Sequence, residues 1–223
     1  MAIQQQQVDV SHVVEHCNAV KHLGTGPISD AMEQLGMPRK VITGLTLVSN
    51  DPLCAFVGPA YTVRQANKSR ATPHDVDLTR QRVASSQLAS PGEVIVIDVS
   101  GRLDFGTWGE NQAMMAQSRG IVGLVVHGAV RDKEWIRRIG FPVVCRGFSP
   151  VSSKWELETV AMNERVVIDG VTIEPGDIIY ADADGCIVIP RADYEQVFDR
   201  ALAIHQKEEN QRNAAHGVSR AAS

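Results

Sequence analysis

Between Gly92 and Gly147 the chain alternates too regularly to leave many folds open. "GEVIVIDVS" carries four consecutive apolar residues, Val94 to Ile97. It is followed by a helical pattern, "WGENQAMMAQSRG", closed by Gly120. A second apolar run, "IVGLVVHG", leads to another helical stretch, "RDKEWIRRIG", and then to "FPVVCRG". Continuous apolar runs bounded by turn residues read as buried strands. Strands alternating with helices favour parallel pairing, with ligands near the carboxyl ends of the strands. This segment therefore predicts an α/β core, with the second strand breaking at His127-Gly128.

The flanks are read the same way. "SHVVEHCNAVKHL" places Val13, Val14, Cys17 and Val20 at helical spacing, with Ser11 as a candidate cap. A second short helix is expected to open at Ser29 or Asp30 and to stop at Gly36 and Pro38. "GLTLVS" and "AFVGPAYTVRQA" are β-rich, and "DVDLTRQRVASSQLAS" predicts a helix ending at Pro91-Gly92. "ERVVIDGVTIEPGDIIYADADGCIVIP" predicts strands joined by tight turns at Asp169-Gly170, Pro175-Gly176 and Asp184-Gly185. The resulting expectation is one domain over 1–223, with helices at about 11–37, a core at about 41–190 and a C-terminal helix at about 191–215.

Composition narrows function. With 223 residues, 43% hydrophobic and 22% charged, the chain can bury a sizeable core. A net charge of −4 and only 5% aromatic residues argue against a nucleic-acid partner. No apolar run approaches the roughly 20 residues of a membrane helix. "MAIQQQQVDV" lacks the pattern of a secretory leader. Four scattered cysteines with no CxxC pair argue against a disulfide framework or a zinc site. A cytoplasmic location is the expectation. His12 and His16 stand one helical turn apart, but without a visible third ligand they read as a solvated helix face. Cys145, after an apolar strand, reads as a small core residue.

The chemistry gathers at the expected strand ends. The first strand is followed by Asp98, Arg102, Asp104 and Glu110, the second by Arg131 and Asp132. If the strands are neighbours, both sets meet at one rim. Adjacent side chains of an extended segment point to opposite faces, which would give Arg131 and Asp132 different partners. Arg131 suits a carboxylate or 2-oxo acid held in bidentate fashion. Asp132 and Glu110 suit a hard divalent cation held mostly through water. Gly106 and Gly109 let the backbone approach a ligand, and the N–H groups at 110–112 open a helix that can take an anion. The plainer alternative is a solvated Arg-Asp pair with Glu110 as an ordinary first-turn acid.

Glu110 and the Arg131-Asp132 pair, set within "GTWGENQAMMAQSRGIVGLVVHGAVRDKEWIRRIGFPVVCRGFSP", together with "PGEVIVIDVSGRLD" before and "PGDIIYADADGCIVIP" after, resemble the class II pyruvate aldolases of the 4-hydroxy-4-methyl-2-oxoglutarate aldolase family. That family also includes the regulator of ribonuclease E activity A. The resemblance covers most of residues 24–215. It implies a swivelling β/β/α sandwich with helical extensions, assembled as a homotrimer or homohexamer with sites between subunits. It implies Mg²⁺ or Mn²⁺ and cleavage of a 4-hydroxy-2-oxo acid, such as 4-hydroxy-4-methyl-2-oxoglutarate or 4-carboxy-4-hydroxy-2-oxoadipate, to pyruvate plus a second carbonyl acid. Oxaloacetate decarboxylation is the implied side activity. Carried over by position, Asp132 is the direct metal ligand, Glu110 holds metal-bound water and Arg131 binds the pyruvyl oxygens. The amides of Asn111 and Gln112, beside Gly109, take the pyruvyl carboxylate. Glu208, in preference to Glu209, is the outer-shell acid from a neighbouring subunit. Lys154 is either a ligand for a distal carboxylate or a surface lysine.

The chain departs from the family pattern at His127, where the family often has an acid, and at Gln112, where it is commonly apolar. The rival functions are a non-catalytic regulator that binds a ribonuclease, and a related lyase acting on another acid. The acid at Glu110 favours a lyase over the regulator.

Overall fold

The computed structural model describes residues 11–221, with side chains through Ala214; "QQQQ" lies outside the described residues. The elements run α1 (Ser11–Val20), α2 (Thr25–Gln34), β1 (Val41–Ile42), β2 (Thr46–Val48) and β3 (Phe56–Asn67). A short α3 (Gln81–Val83) passes into a π-helical turn at Ala84–Leu88, followed by β4 (Val94–Asp98), α4 (Glu110–Ser118), β5 (Gly123–Val130), α5 (Lys133–Ile139) and β6 (Val143–Phe148). A 3₁₀ turn at Ser153–Trp155 leads to β7 (Leu157–Met162), β8 (Val166–Ile168), β9 (Val171–Ile173), β10 (Ile178–Ala181), β11 (Cys186–Ile189) and α6 (Tyr194–Ala221).

The predicted alternation forms the centre of the molecule. β3, β4, β5 and β6 pair in parallel, in that order. They belong to a nine-stranded mixed sheet ordered β1-β11-β10-β3-β4-β5-β6-β2, with β7 paired to β3. β8 and β9 form a separate hairpin, turned by Asp169 and Gly170 at φ 50° and 80°. Two consecutive positive φ values are what a two-residue hairpin turn needs, and Asp-Gly supplies them at low cost.

Period-two alternation assigns each strand face to a core. Ile95 and Ile97 of β4 pack with Ala113 and Ala116 of α4 and Ile136 of α5. The intervening Val94 and Val96 join an all-β core with Val166, Ile168 and Ile173 of the hairpin and Ile179, Cys186 and Val188 of β10 and β11. The opposite faces of β10 and β11 (Tyr180, Ile187, Ile189) pack on Val13 and Cys17 of α1, Ile28 of α2 and Phe198 of α6. The result is a curled half-barrel of sheet with helices outside both halves, the mixed α/β architecture expected.

Four local expectations need correction. α2 opens at Thr25, not Ser29, because Asp182 from the β10–β11 turn accepts hydrogen bonds from the Thr25 amide (2.7 Å) and hydroxyl (3.0 Å). Only the second part of the helix expected over 75–90 forms: 81–88 is helical and 75–80 is a loop. α6 continues past the expected end near 215 to Ala221. Finally, β5 does not stop at His127-Gly128. It passes through them to Val130 with a register irregularity between Val126 and Ala129. There it pairs with the loop after β4: the Val99 and Gly101 amides donate to His127 O (3.3 and 3.0 Å), and the Ala129 amide to Arg102 O (3.1 Å). A Cβ at Gly128 would lie 2.0 Å from Val99 Cγ2, so the glycine marks a close approach inside the strand rather than its end. Among the described residues no helix is long and apolar enough to cross a membrane.

Candidate active site

β5 is buried along its whole length and delivers Arg131 at its end. Asp132 then adopts a left-handed backbone (φ 59°, ψ 36°) as the residue preceding α5. Neighbouring side chains diverge only while the chain stays extended. The left-handed turn swings Asp132 back, and its Oδ2 lies 3.4 Å from Arg131 Nε. The expected separation of the two side chains onto opposite faces is therefore overturned; they act on one space.

The start of α4 faces this pair. Gly109 packs so closely that an added Cβ would stand 2.5 Å from Asp132 Oδ2 and 3.1 Å from Arg131 Cγ and Nε. The Glu110 amide donates to Asp132 Oδ2 at 3.3 Å. Gln112 Oε1 folds back to accept the Gly109 N–H at 3.0 Å, so this side chain caps the helix it belongs to. The amides of Asn111 and Gln112 lie in the first turn, where helix geometry provides no carbonyl partner, which leaves them suited to an anion.

These residues line a cavity of about 210 Å³. Its near wall is Gly109, Glu110, Asn111, Gln112, Arg131 and Asp132; its far wall is Asp77, Thr79, Gln81, Arg82 and Ser152–Lys154. Every position expected to bind substrate thus meets here, Lys154 included. Asp77 and Thr79 of the far wall were missed in the sequence because 75–80 reads as helix. A signal was present in Asp77-x-Thr79: Asp77 Oδ1 accepts the Thr79 amide (2.9 Å) and hydroxyl (2.6 Å), a local turn that competes with helix. Asp77 Oδ2 lies 4.0 Å from Lys154 Nζ, which also sits 4.3 Å from the centroid of the Trp155 ring.

Beneath the cavity, three buried side chains close a ring. Gln65 Nε2 donates to Gln81 Oε1 (2.9 Å), Gln81 Nε2 donates to Thr107 O (3.0 Å), and the Thr107 hydroxyl donates to Gln65 Oε1. A buried polar network in which each member has a partner holds its geometry firmly. It ties β3, α3 and the α4 lead-in to one floor.

Other candidates lie elsewhere. Asp98, Arg102 and Asp104 do not line the cavity, so of the four charged candidates at and after the end of β4 only Glu110 reaches it. Arg102 pairs with Asp104 (2.7 Å) at the surface. Asp98 turns to His127. His127, where the strand was expected to break, lies inside β5 and does not line the cavity: its Nδ1 is 2.8 Å from Asp98 Oδ1 and its Nε2 is 3.3 Å from Asp169 Oδ1. It links the sheet to the β8–β9 hairpin. Glu208 sits on α6, 3.4 Å from Arg212, and does not line the cavity of its own chain.

The donor set decides which cation the cavity suits. Asp77, Glu110 and Asp132 do not converge as a three-carboxylate cluster. The near wall offers oxygen donors from Asp132 and Glu110 with open space beside them. That suits a hard cation that keeps most of its water, such as Mg²⁺ or Mn²⁺, rather than zinc, which favours several nitrogen or sulfur ligands.

Known proteins share this framework. The chain is 34% identical over 204 residues to protein DlpA of Legionella pneumophila, covering 89% of this chain but spanning only 30% of DlpA. It is 34% identical over 188 residues to a protein of Halalkalibacterium halodurans named "Putative 4-hydroxy-4-methyl-2-oxoglutarate aldolase", covering 84% of this chain and 82% of that one. The solved structure of Streptomyces coelicolor RraAS2, described as an unusual member of the RNase ES inhibitor RraA protein family, superposes with a TM-score of 0.77 at 27% identity, covering 89% of this chain and 96% of that one. The RraA-like family, described as Aldolase/RraA, matches residues 25–188, and the chain belongs to it.

Proposed function

We propose that the chain is a divalent-cation-dependent lyase that cleaves a 4-hydroxy-2-oxo acid to pyruvate and a second carbonyl acid, and that decarboxylates oxaloacetate through the same enolate. The observation that carries this reading is the meeting of Glu110, Arg131 and Asp132 at the N-terminus of α4 in one cavity. Mg²⁺ or Mn²⁺ would be held by Asp132 as ligand and by Glu110 through water, and when bound would supply Lewis acidity at the 2-oxo group.

The chain's own groups do the rest. The Asn111 and Gln112 amides take the C1 carboxylate, helped by the positive end of the helix. Arg131 lies over the 2-oxo oxygen and stabilises the negative charge that grows there. Its Nε is steered by Asp132, which leaves the terminal nitrogens to point at substrate. Lys154, aligned by Asp77, meets a carboxylate at the distal end of a dicarboxylic substrate. A water on the Glu110 side takes the proton from the 4-hydroxyl. The electron pair of the C3–C4 bond passes to the pyruvyl half, and the second product leaves as a carbonyl. Protonation at C3 completes pyruvate. With oxaloacetate, CO₂ departs instead and no base is needed.

In the assembled protein, proposed as a homotrimer or homohexamer, Glu208 of a neighbouring subunit completes the outer shell. A panel of 4-hydroxy-2-oxo acids with Mg²⁺, read by pyruvate release, tests the activity and names the substrate. Absence of pyruvate from every member of the panel and from oxaloacetate overturns the lyase reading and favours a binding role like that of the ribonuclease inhibitors among its relatives.

A further inference from the structure

Outside the candidate active site, α1 and α6 bring together side chains that the lyase reading does not use. His12 and His16 lie one turn apart on α1, and Glu195 comes from the first turn of α6. One ligand atom from each lies within 4.8 Å of the other two. His16 Nδ1 is 4.0 Å from Glu195 Oε1, and the two imidazole centroids are 4.3 Å apart. The three line a cavity of about 340 Å³ with Asp199, one helical turn beyond Glu195. The third ligand that the sequence does not place beside the histidine pair is thus supplied from the far end of the chain.

We propose that His12, His16 and Glu195 form a second metal site, selective for a transition metal of the zinc type and separate from the oxygen-donor site at Asp132. Two imidazoles and one carboxylate are a common ligand set for Zn²⁺ and a poor one for Mg²⁺. Tetrahedral Zn²⁺ with bonds of about 2.0–2.1 Å needs donors about 3.3–3.4 Å apart. His12 and Glu195 are exposed and His16 half-buried, so their rotamers can close the remaining distance without moving either helix. The Tyr194 hydroxyl, which donates to Glu195 Oε1 at 3.1 Å, holds that carboxylate toward the histidines. Asp199 or water takes the fourth position. The ion would pin α1 to α6, a helix pair that also meets where Tyr194 of α6 reaches His12 (3.5 Å) and His16 (ring centroids 5.8 Å).

The test is a titration of the full-length, chelator-stripped protein with Zn²⁺ by calorimetry, paired with thermal unfolding. The wild type is expected to bind one Zn²⁺ that Asp132→Asn retains, and His12→Ala and Glu195→Gln are expected to weaken that binding by more than about tenfold, the mildest cost of losing an outer partner. A hundredfold excess of Zn²⁺ over its Kd should raise the wild-type Tm by about 5–10 °C and leave that of His12→Ala nearly unchanged. His12 is exposed, so its removal leaves the fold and any pyruvate-forming activity intact. Equal Zn²⁺ binding by wild type, His12→Ala and Glu195→Gln overturns the proposal, as does loss of the site in Asp132→Asn.

Discussion

Adding one methyl group at Gly109 should disable the active site without unfolding the protein. The alanine Cβ would stand 2.5 Å from Asp132 Oδ2 and 3.1 Å from Arg131 Nε. Ordinary carbon–oxygen contacts run about 3.3–3.6 Å, so the Asp132 carboxylate must withdraw by about 1 Å. The displaced atom is the free end of a side chain, and Gly109 has an extended φ of −156° that alanine adopts without strain. Stability should therefore fall by only about 1 kcal/mol, the scale of a weakened helix cap. A 1 Å misplacement of a reacting group costs about 10²-fold, or roughly 2.7 kcal/mol of barrier. Pyruvate release from oxaloacetate with Mg²⁺, beside a thermal melt, separates the two effects. A Gly109→Ala protein with wild-type turnover would refute the claim that Asp132 and Arg131 act from these positions. One that melts many degrees lower would refute the claim that the strain is local.

Arg131→Ala should lower kcat by about 10²–10³-fold if the guanidinium stabilises the enolate, and a near-normal rate rules out that role. Cys17, Cys145 and Cys186 are buried, and burial pushes each thiol up to about 12, whereas Cys54 is half-exposed. A disulfide reagent at about pH 8 should titrate one thiol rapidly in the native protein and the other three only on unfolding; two fast thiols contradict the buried placement. Burial, the largest cause, raises the Glu93 carboxyl above its usual range, against the pull of the Ser90 amide and Arg191. A carboxyl raised in this way binds its proton more tightly when folded, so it favours folding below its unfolded value of about 4.3 and loses that contribution as pH rises through the folded one. Glu93→Gln keeps an acceptor for the Ser90 amide. It should melt like wild type at about pH 4 and higher than wild type at about pH 8, and a lower melt at pH 8 contradicts the account.

What could be read in advance is what depends on local pattern. β4, α4, α5 and β6 follow from apolar runs, helical spacing and the glycines that close them. Glu110, Arg131 and Asp132 were recognisable because their chemistry stands at the ends of those elements. What stayed hidden depends on long-range contact. His127-Gly128 looks like a strand end, and the pairing of β5 with β6 and with the loop after β4 shows that it continues. Asp77 and Thr79 belong to the cavity because a turn replaces the helix that the spacing suggests. Arg131 and Asp132 share one space because a single left-handed residue breaks the alternation between them. Glu195 reaches His12 and His16 only after the two ends of the chain have folded together.

The most direct measurement is pyruvate formation from oxaloacetate and a 4-hydroxy-2-oxo acid by the wild-type protein and Asp132→Asn, each with Mg²⁺ and with chelator. The account predicts turnover by the wild type that requires Mg²⁺, disappears with chelator and is lost in Asp132→Asn. Metal-independent turnover, or an Asp132→Asn protein as active as wild type, would contradict it.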